Sequence, residues 1–198
     1  RVSTATGNSY PEVTRLIKQQ QQQGALIMDY AGHGSERQLS HEKVFGATDF
    51  LQFTNANLPL WITASCDIMP YDGTTETIGE NAVLNSKGGA VAFFGTTRTV
   101  YTNYNKVINQ AYLRHVLSKD TDGKALTIGE AQRRAKNELI ELGSDRTENK
   151  LQYALLGDPA MRLNLPSLTV TIDEINGQKV DAGNPVHLKA GTIATMSG

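Results

Sequence analysis

The chain has 198 residues, enough for one full domain and part of another, and its 39% hydrophobic content can bury a core without covalent staples. Its 19 Lys and Arg stand against 20 Asp and Glu, a formal net charge of −1, so no basic excess points to nucleic acid and no polybasic run to a membrane surface. There is no run of about 18 apolar residues for a transmembrane helix, and a single cysteine, Cys66, excludes an intrachain disulfide.

The opening RVSTATGNSY lacks the basic-then-apolar pattern of a signal peptide and an initiator Met, and the closing TIATMSG stops in what reads as a strand. Both ends are therefore expected to be cut from a longer protein. Residues 11–23 read as a helix: Pro11 suits a first turn, Val13, Leu16 and Ile17 give an apolar face, and Gly24 stops it. The KQQQQQ run (18–23) reads as its solvated end. ALIMDY (25–30) reads as a buried strand opening into the Gly-rich loop AGHGS. A short helix is expected around residues 47–53. PLWITAS (59–65) reads as a second buried strand, ending at Cys66 and the polar loop DIMPYDGTTET.

Residues 78–86 read as a helix, KGG as a turn and GAVAFFGTT (89–97) as a third buried strand. Trp61, Phe93 and Phe94 are expected in the core. Residues 103–118 form a long helix with Val107, Ile108, Ala111, Tyr112 and His115 at helical spacing. Thr127 with Glu130 three residues on predicts a capping box for a helix to about residue 142. NKLQYALLGDPAMRLNLP then closes the first domain, residues 1–166. Strands that are continuous apolar runs alternating with helices predict an α/β fold with a parallel sheet covered on both faces. Residues 167–198 differ, with short alternating runs and the turn pairs Asn176-Gly177 and Asn184-Pro185, and read as the start of a small antiparallel β domain.

In open α/β sheets the functional groups sit where strand C-termini open into loops. His33 lies just past one strand and Cys66 just past the next. If those strands are neighbours, imidazole and thiol meet at one sheet edge. A thiol becomes a nucleophile as the thiolate, which a nearby imidazole supports, and the developing oxyanion then needs fixed donors. The backbone N–H groups of Gly34 and Cys66 are the candidate donors. Taken singly, a lone Cys at a strand end is more often a buried structural residue, and a His between glycines is as readily a turn residue; their combination at consecutive strand ends carries the reading. His41, His115 and His187 lack a comparable setting. Asp67, Arg98 and Tyr101, with Tyr104, lie at the same edge and are candidates for lining a substrate cleft. Asp72, Glu76 and Glu80 could hold a structural calcium, though their spacing matches no calcium loop and a solvated loop is the plainer reading. No other cofactor or metal is implied.

A strand followed by YAGHGS (30–35), then a strand ending in ITASCD (62–67), resembles the gingipain family of the caspase-like clan of cysteine peptidases. The resemblance covers roughly residues 10–166. It implies a three-layer α/β/α caspase-like fold with a mostly parallel sheet, present here in part, followed by the start of an immunoglobulin-like β domain. It implies Cys66 as nucleophile and His33 as general acid and base. GENAVLNSKGGAVAFFGTTRTVY (79–101) and LLGDPAMRLNLP (155–166) look like one branch, the PorU sortases of the type IX secretion system. That branch acts at the outer surface of a Bacteroidetes-type outer membrane, beside other secretion components. It removes a C-terminal signal domain from cargo proteins and passes the new carboxyl end to an amine of a lipopolysaccharide. A secreted hydrolase of the same family and an inactive scaffold are the alternatives. The family's acid that orients the His, and its specificity residues, lie upstream of the His strand and are expected outside this chain. Asp29 and Glu36 are nearby acids that the sequence does not place against the imidazole, and Asp29 reads as a structural cap or pair.

Overall fold

The computed structural model describes residues 2–4, 7–168, 171–181, 183, 185–191 and 193–197. It divides into two compact units, Arg1–Asn164 and Leu165–Gly198. In the first, strands β1 (Val2–Thr4) and β2 (Gly7–Ser9) pair antiparallel and lead into helix α1 (Pro11–Gln23), with Pro11 in its first turn and Gly24 at φ 95° ending it. The rest of the chain in order is β3 (Ile27–Ala31), β4 (Gln38–Leu39), β5 (Phe45–Gly46), α2 (Ala47–Phe50), β6 (Leu60–Ala64), α3 (Ile78–Leu84), β7 (Ala92–Thr96), α4 (Thr102–Val116), α5 (Ile128–Glu141), a 3-10 turn at Asn149–Gln152 and β8 (Tyr153–Leu156).

The central sheet has the order β3-β6-β7-β8. The first three strands run parallel, and β8 runs antiparallel along β7. Side chains alternate across the sheet and so build two cores. On one face Trp61 and Phe93 pack with Phe45, Phe50, Phe53, Ile68, Met69 and Ile78 under α1, α2 and α3. On the other, Ile62 and Phe94 are fully buried, and the Phe94 ring stacks on Tyr112 of α4 (3.9 Å) and Tyr153 of β8 (5.2 Å). Helix α5 completes that layer against α4 with buried Ile128, Ala131, Ala135 and Leu139. The expected three-layer α/β/α architecture with a mostly parallel sheet is thus present.

Three local readings change. The helix expected over residues 47–53 is a single turn, Ala47–Phe50, preceded by the β4–β5 hairpin. The glutamine run is not wholly solvated. Gln21 is fully buried, one helical turn after Ile17, donating through Nε2 to the Gly89 carbonyl (2.7 Å) and accepting from the Trp61 indole N–H (2.8 Å). The sequence TIGE occurs twice. At 77–80 it makes a complete capping box, Thr77 Oγ1 accepting from Glu80 N and Glu80 Oε2 from Thr77 N. At 127–130 only the Thr127 half forms, because Glu130 is held instead by Arg133 and Arg134.

In the second unit β9 (Glu174–Ile175), β10 (Gln178–Lys179) and β11 (Met196–Ser197) form an antiparallel sheet in the order β10-β9-β11. Asn176 (φ 52°) and Gly177 (φ 74°) make its two-residue hairpin turn, a conformation that favours Asn-Gly. The Asn184-Pro185 pair falls partly outside the described residues.

Candidate active site

Parallel pairing of β3 with β6 fixes the site. Ala31 registers with Ala64, so His33 and Cys66 each follow two residues beyond the same rung of the ladder. Both line one cavity of about 700 Å³, together with Asp29, Ala64, Val100 and Asn109. The Cys66 thiol is half-buried and donates to the Val100 carbonyl (3.4 Å).

The loop carrying His33 is pinned from several sides. Its carbonyl accepts from Tyr30 Oη (2.8 Å) and Ser40 N (2.8 Å). Ser65 Oγ, beside Cys66, donates to the Gly32 carbonyl (2.7 Å) and ties the two strand ends together. Crowding surrounds both glycines flanking His33, most tightly Gly34, and neither has a positive φ. A Cβ at Gly32 would stand 2.6 Å from Tyr30 Oη, and one at Gly34 would stand 2.4 Å from Ser65 Oγ and 2.5 Å from Ile68 Cδ1. Gly34 is thereby pressed against the turn that presents Cys66. Among the described residues neither Gly34 N–H nor Cys66 N–H donates to a backbone carbonyl, which leaves both able to serve as oxyanion donors.

The other flank of Cys66 is equally fixed. Asp67 takes a left-handed conformation, φ 49°, held by its N–H to the Arg98 carbonyl (3.3 Å) and by Thr99 Oγ1 donating to its carboxylate (2.8 Å). Arg98 pairs with Asp72 (Nη2 to Oδ2, 2.6 Å), and Tyr101 is exposed, edge-on to Tyr104, with its N–H donating to Asn149 Oδ1 (2.7 Å). Asp67, Arg98 and Tyr101 therefore flank the turn of Cys66, while it is their neighbours Val100 and Thr102 that line the cavity. Of the acids considered for calcium, Asp72 is taken by Arg98 and Glu80 by Thr77, and among the described residues no group of three or more ligand side chains comes together.

Two residues gain a place that the sequence did not give them. The His41 ring lies 4.7 Å from that of His33, centroid to centroid, because the β4–β5 hairpin folds back and both rings line a small second pocket. Only tertiary structure brings them together. Asp29 pairs rather than caps: its carboxylate accepts from Asn109 Nδ2 of α4 (3.1 and 3.3 Å) and faces the cavity. Asp29 is exposed by area at the edge strand. Even so, the protein packed around its carboxyl raises its pKa by desolvation, opposed by the Asn109 hydrogen bond, and the open side screens the effect. Glu36 pairs with Arg37 (3.5 Å), and among the described residues no carboxylate hydrogen-bonds to the His33 ring. His115 is paired with Glu138 (2.8 Å), on a helix face away from the cavity lining.

The family model of peptidase family C25 matches residues 1–164. Among solved structures the chain is similar to the Arg-specific cysteine proteinase gingipain R, with TM-score 0.68 and 22% identity over 78% of this chain and 36% of that one. It is similar as well to the complex of the Porphyromonas gingivalis RgpB pro- and mature domains (TM-score 0.67, 20% identity, 76% of this chain and 37% of that one). A third match, described only as a protease, has TM-score 0.53 and 16% identity over 77% of this chain and 40% of that one. The chain thus spans well under half the length of each of these structures. No curated protein sequence matches it.

Proposed function

The chain belongs to peptidase family C25, the gingipain family of cysteine-type peptidases, and from that premise we propose that Cys66 and His33 carry out acyl transfer on peptide bonds. The observation that supports this most is the Ala31–Ala64 register, which sets imidazole and thiol at one edge of the sheet and in one cavity. His33 takes the thiol proton, and the thiolate attacks the scissile carbonyl. The Gly34 and Cys66 N–H groups receive the oxyanion. Protonated His33 then gives its proton to the departing amine, leaving a thioester on Cys66. An incoming amine or water attacks that thioester, with His33 accepting its proton. Asp67, locked by Thr99 and Arg98, holds the nucleophile turn rigid between these steps.

In the finer reading, the whole protein is a sortase of the type IX secretion system, acting at the outer face of an outer membrane. It removes the C-terminal signal domain of exported cargo and joins the new carboxyl end to an amine of a lipopolysaccharide. The segments 79–101 and 155–166 support it. They build α3, β7 and β8, the elements that carry the cavity wall at Val100 and the antiparallel edge of the sheet. A hydrolase that releases cargo to water is the second reading, favoured by the likeness to an Arg-specific proteinase. The test incubates the full-length protein with cargo bearing a C-terminal signal domain and a soluble primary amine, followed by intact mass. The sortase reading expects cargo carrying the amine adduct. Release of free carboxylate alone, at saturating amine, supports the hydrolase and removes the sortase. Unchanged cleavage by Cys66→Ala removes both.

A further inference from the structure

The peptide unit that joins Val100 to Tyr101 is held at both of its polar ends. Its carbonyl accepts from the Cys66 thiol (3.4 Å), and its N–H donates to Asn149 Oδ1 (2.7 Å). A peptide unit is planar, so whatever fixes the N–H also fixes where the carbonyl points. Asn149 is 2% exposed and uses the other end of its amide as well, Nδ2 donating to Asn105 Oδ1 in the first turn of α4 (3.3 Å). Its own backbone is set by a buried turn. Asn149 N–H donates to Thr147 Oγ1 (3.1 Å), which donates in turn to Asp145 Oδ1 (2.6 Å). Lys150 N–H donates to the other Asp145 oxygen (2.9 Å), and its buried ammonium donates to the Asp145 and Thr147 carbonyls (3.0 and 2.5 Å). A polar network satisfied in this way, away from water, is rigid.

The segment that leads up to Val100 also carries the backbone around Cys66. Met69 N–H donates to the Thr96 carbonyl (2.9 Å), Asp67 N–H to the Arg98 carbonyl (3.3 Å) and Thr96 Oγ1 to the Ser65 carbonyl. Those contacts leave the Cys66 side chain a choice of three staggered rotamers, and the Val100 carbonyl is what its thiol meets. Resting on the reading of Cys66 as the nucleophile, we propose that Asn149 is a positioning residue for the acyl transfer: it holds the Val100–Tyr101 peptide so that the Val100 carbonyl keeps the Cys66 thiol in one rotamer. His33 and the substrate carbonyl then meet the thiol from a single starting position. Once His33 has taken the proton, the sulfur has nothing left to donate to Val100 and is released toward the substrate. Asn149 does not line the cavity, so its loss slows the chemical step and leaves binding as it was.

The test is single-turnover cleavage of cargo bearing a C-terminal signal domain, with the full-length protein in excess, read as the rate at saturation and the half-saturating concentration. Asn149→Leu is of similar size and lacks the acceptor. Its saturated rate is expected to fall about tenfold or more, with half-saturation within threefold of wild type. Asn149→Asp keeps an acceptor oxygen for the Tyr101 N–H and is expected to stay within threefold in rate. Burying a carboxylate is costlier than burying a leucine, so thermal melting should find Asn149→Asp the less stable of the two, and a merely structural role would make it the slower one. Tyr101→Pro removes the N–H itself without opening the buried turn. Measured against Tyr101→Ala, it is expected to slow cleavage as Asn149→Leu does and to add nothing to it in the double variant. A saturated rate within threefold of wild type in Asn149→Leu overturns the proposal, and so does a folded Asn149→Asp as slow as Asn149→Leu. Where either Asn149 variant does not fold, Tyr101→Pro no slower than Tyr101→Ala overturns it. Cargo left uncleaved by the wild type, or cleaved equally by Cys66→Ala, would instead sink the reading of the nucleophile on which the proposal rests.

Discussion

Gln21 is the one member of the glutamine run on which the fold depends. It is fully buried and bridges α1 to β6 and to the turn before β7 through two hydrogen bonds of 2.7 and 2.8 Å. Gln21→Ala removes both. Gly89 keeps a second donor, Asn55 Nδ2 at 3.0 Å, so its carbonyl stays satisfied. The Trp61 indole N–H does not: Gln21 Oε1 is its partner, and Trp61 is 2% exposed. The bond to the Gly89 carbonyl contributes about 1 kcal/mol, and the stranded, buried Trp61 donor costs about 1–3 kcal/mol. The expected loss is therefore about 2–4 kcal/mol. Urea unfolding of Gln21→Ala and of the exposed neighbour Gln20→Ala measures it, the second variant staying within about 0.5 kcal/mol of wild type. In a Trp61→Phe background, where no indole N–H exists, the cost of Gln21→Ala should fall by about 1 kcal/mol or more. Equal stability of the two alanine variants would refute the bridging role.

Three further outcomes follow from the geometry. Gly34→Ala places a Cβ 2.4 Å from Ser65 Oγ, displacing the loop of His33 from the turn of Cys66. Peptidase kcat/KM should fall by about 100-fold or more, since a 1 Å misplacement of reacting groups costs that much; activity within threefold of wild type would contradict the contact. Thr77→Ala breaks a complete capping box and should cost about 1 kcal/mol in denaturant unfolding. Thr127→Ala, which breaks only half a box, should cost less. Glu130 has its pKa lowered to about 2 by hydrogen bonds from Arg133 and Arg134, below its ordinary 4.5. A lowered folded-state value means that its small, salt-screened stabilisation is present above pH 4.5 and is lost as pH falls through about 2. Carboxyl NMR titration should find Glu130 ionised at about pH 3, and titrating near its ordinary value when both arginines are replaced by Gln.

The elements that make the site were legible because each leaves a local trace. Buried parallel strands read as continuous apolar runs, and the glycines around His33 mark a loop at a strand end. The helix that begins at Ile128 is announced by Thr127. What was not legible depends on tertiary direction. The run YALL carries no sign that β8 lies antiparallel along β7. Strands of two residues, β4 and β5, are too short for any period, so the fold-back that sets His41 beside His33 left no mark. Gln21 did leave one, its spacing of four from Ile17 on the inner face of α1, but composition masked it. The pairing of Asp29 with Asn109 joins residues 80 positions apart, and only the packing of α4 on the sheet creates it.

The central claim is that His33 and Cys66 act as one site. Its most direct measurement is the rate of Cys66 alkylation against pH in the full-length protein and in His33→Ala. The account predicts a fast phase that persists well below about pH 8, where a free thiol is slow, and that vanishes in His33→Ala. A thiol equally inert in both proteins until they are denatured would make Cys66 a buried structural residue and would contradict the account.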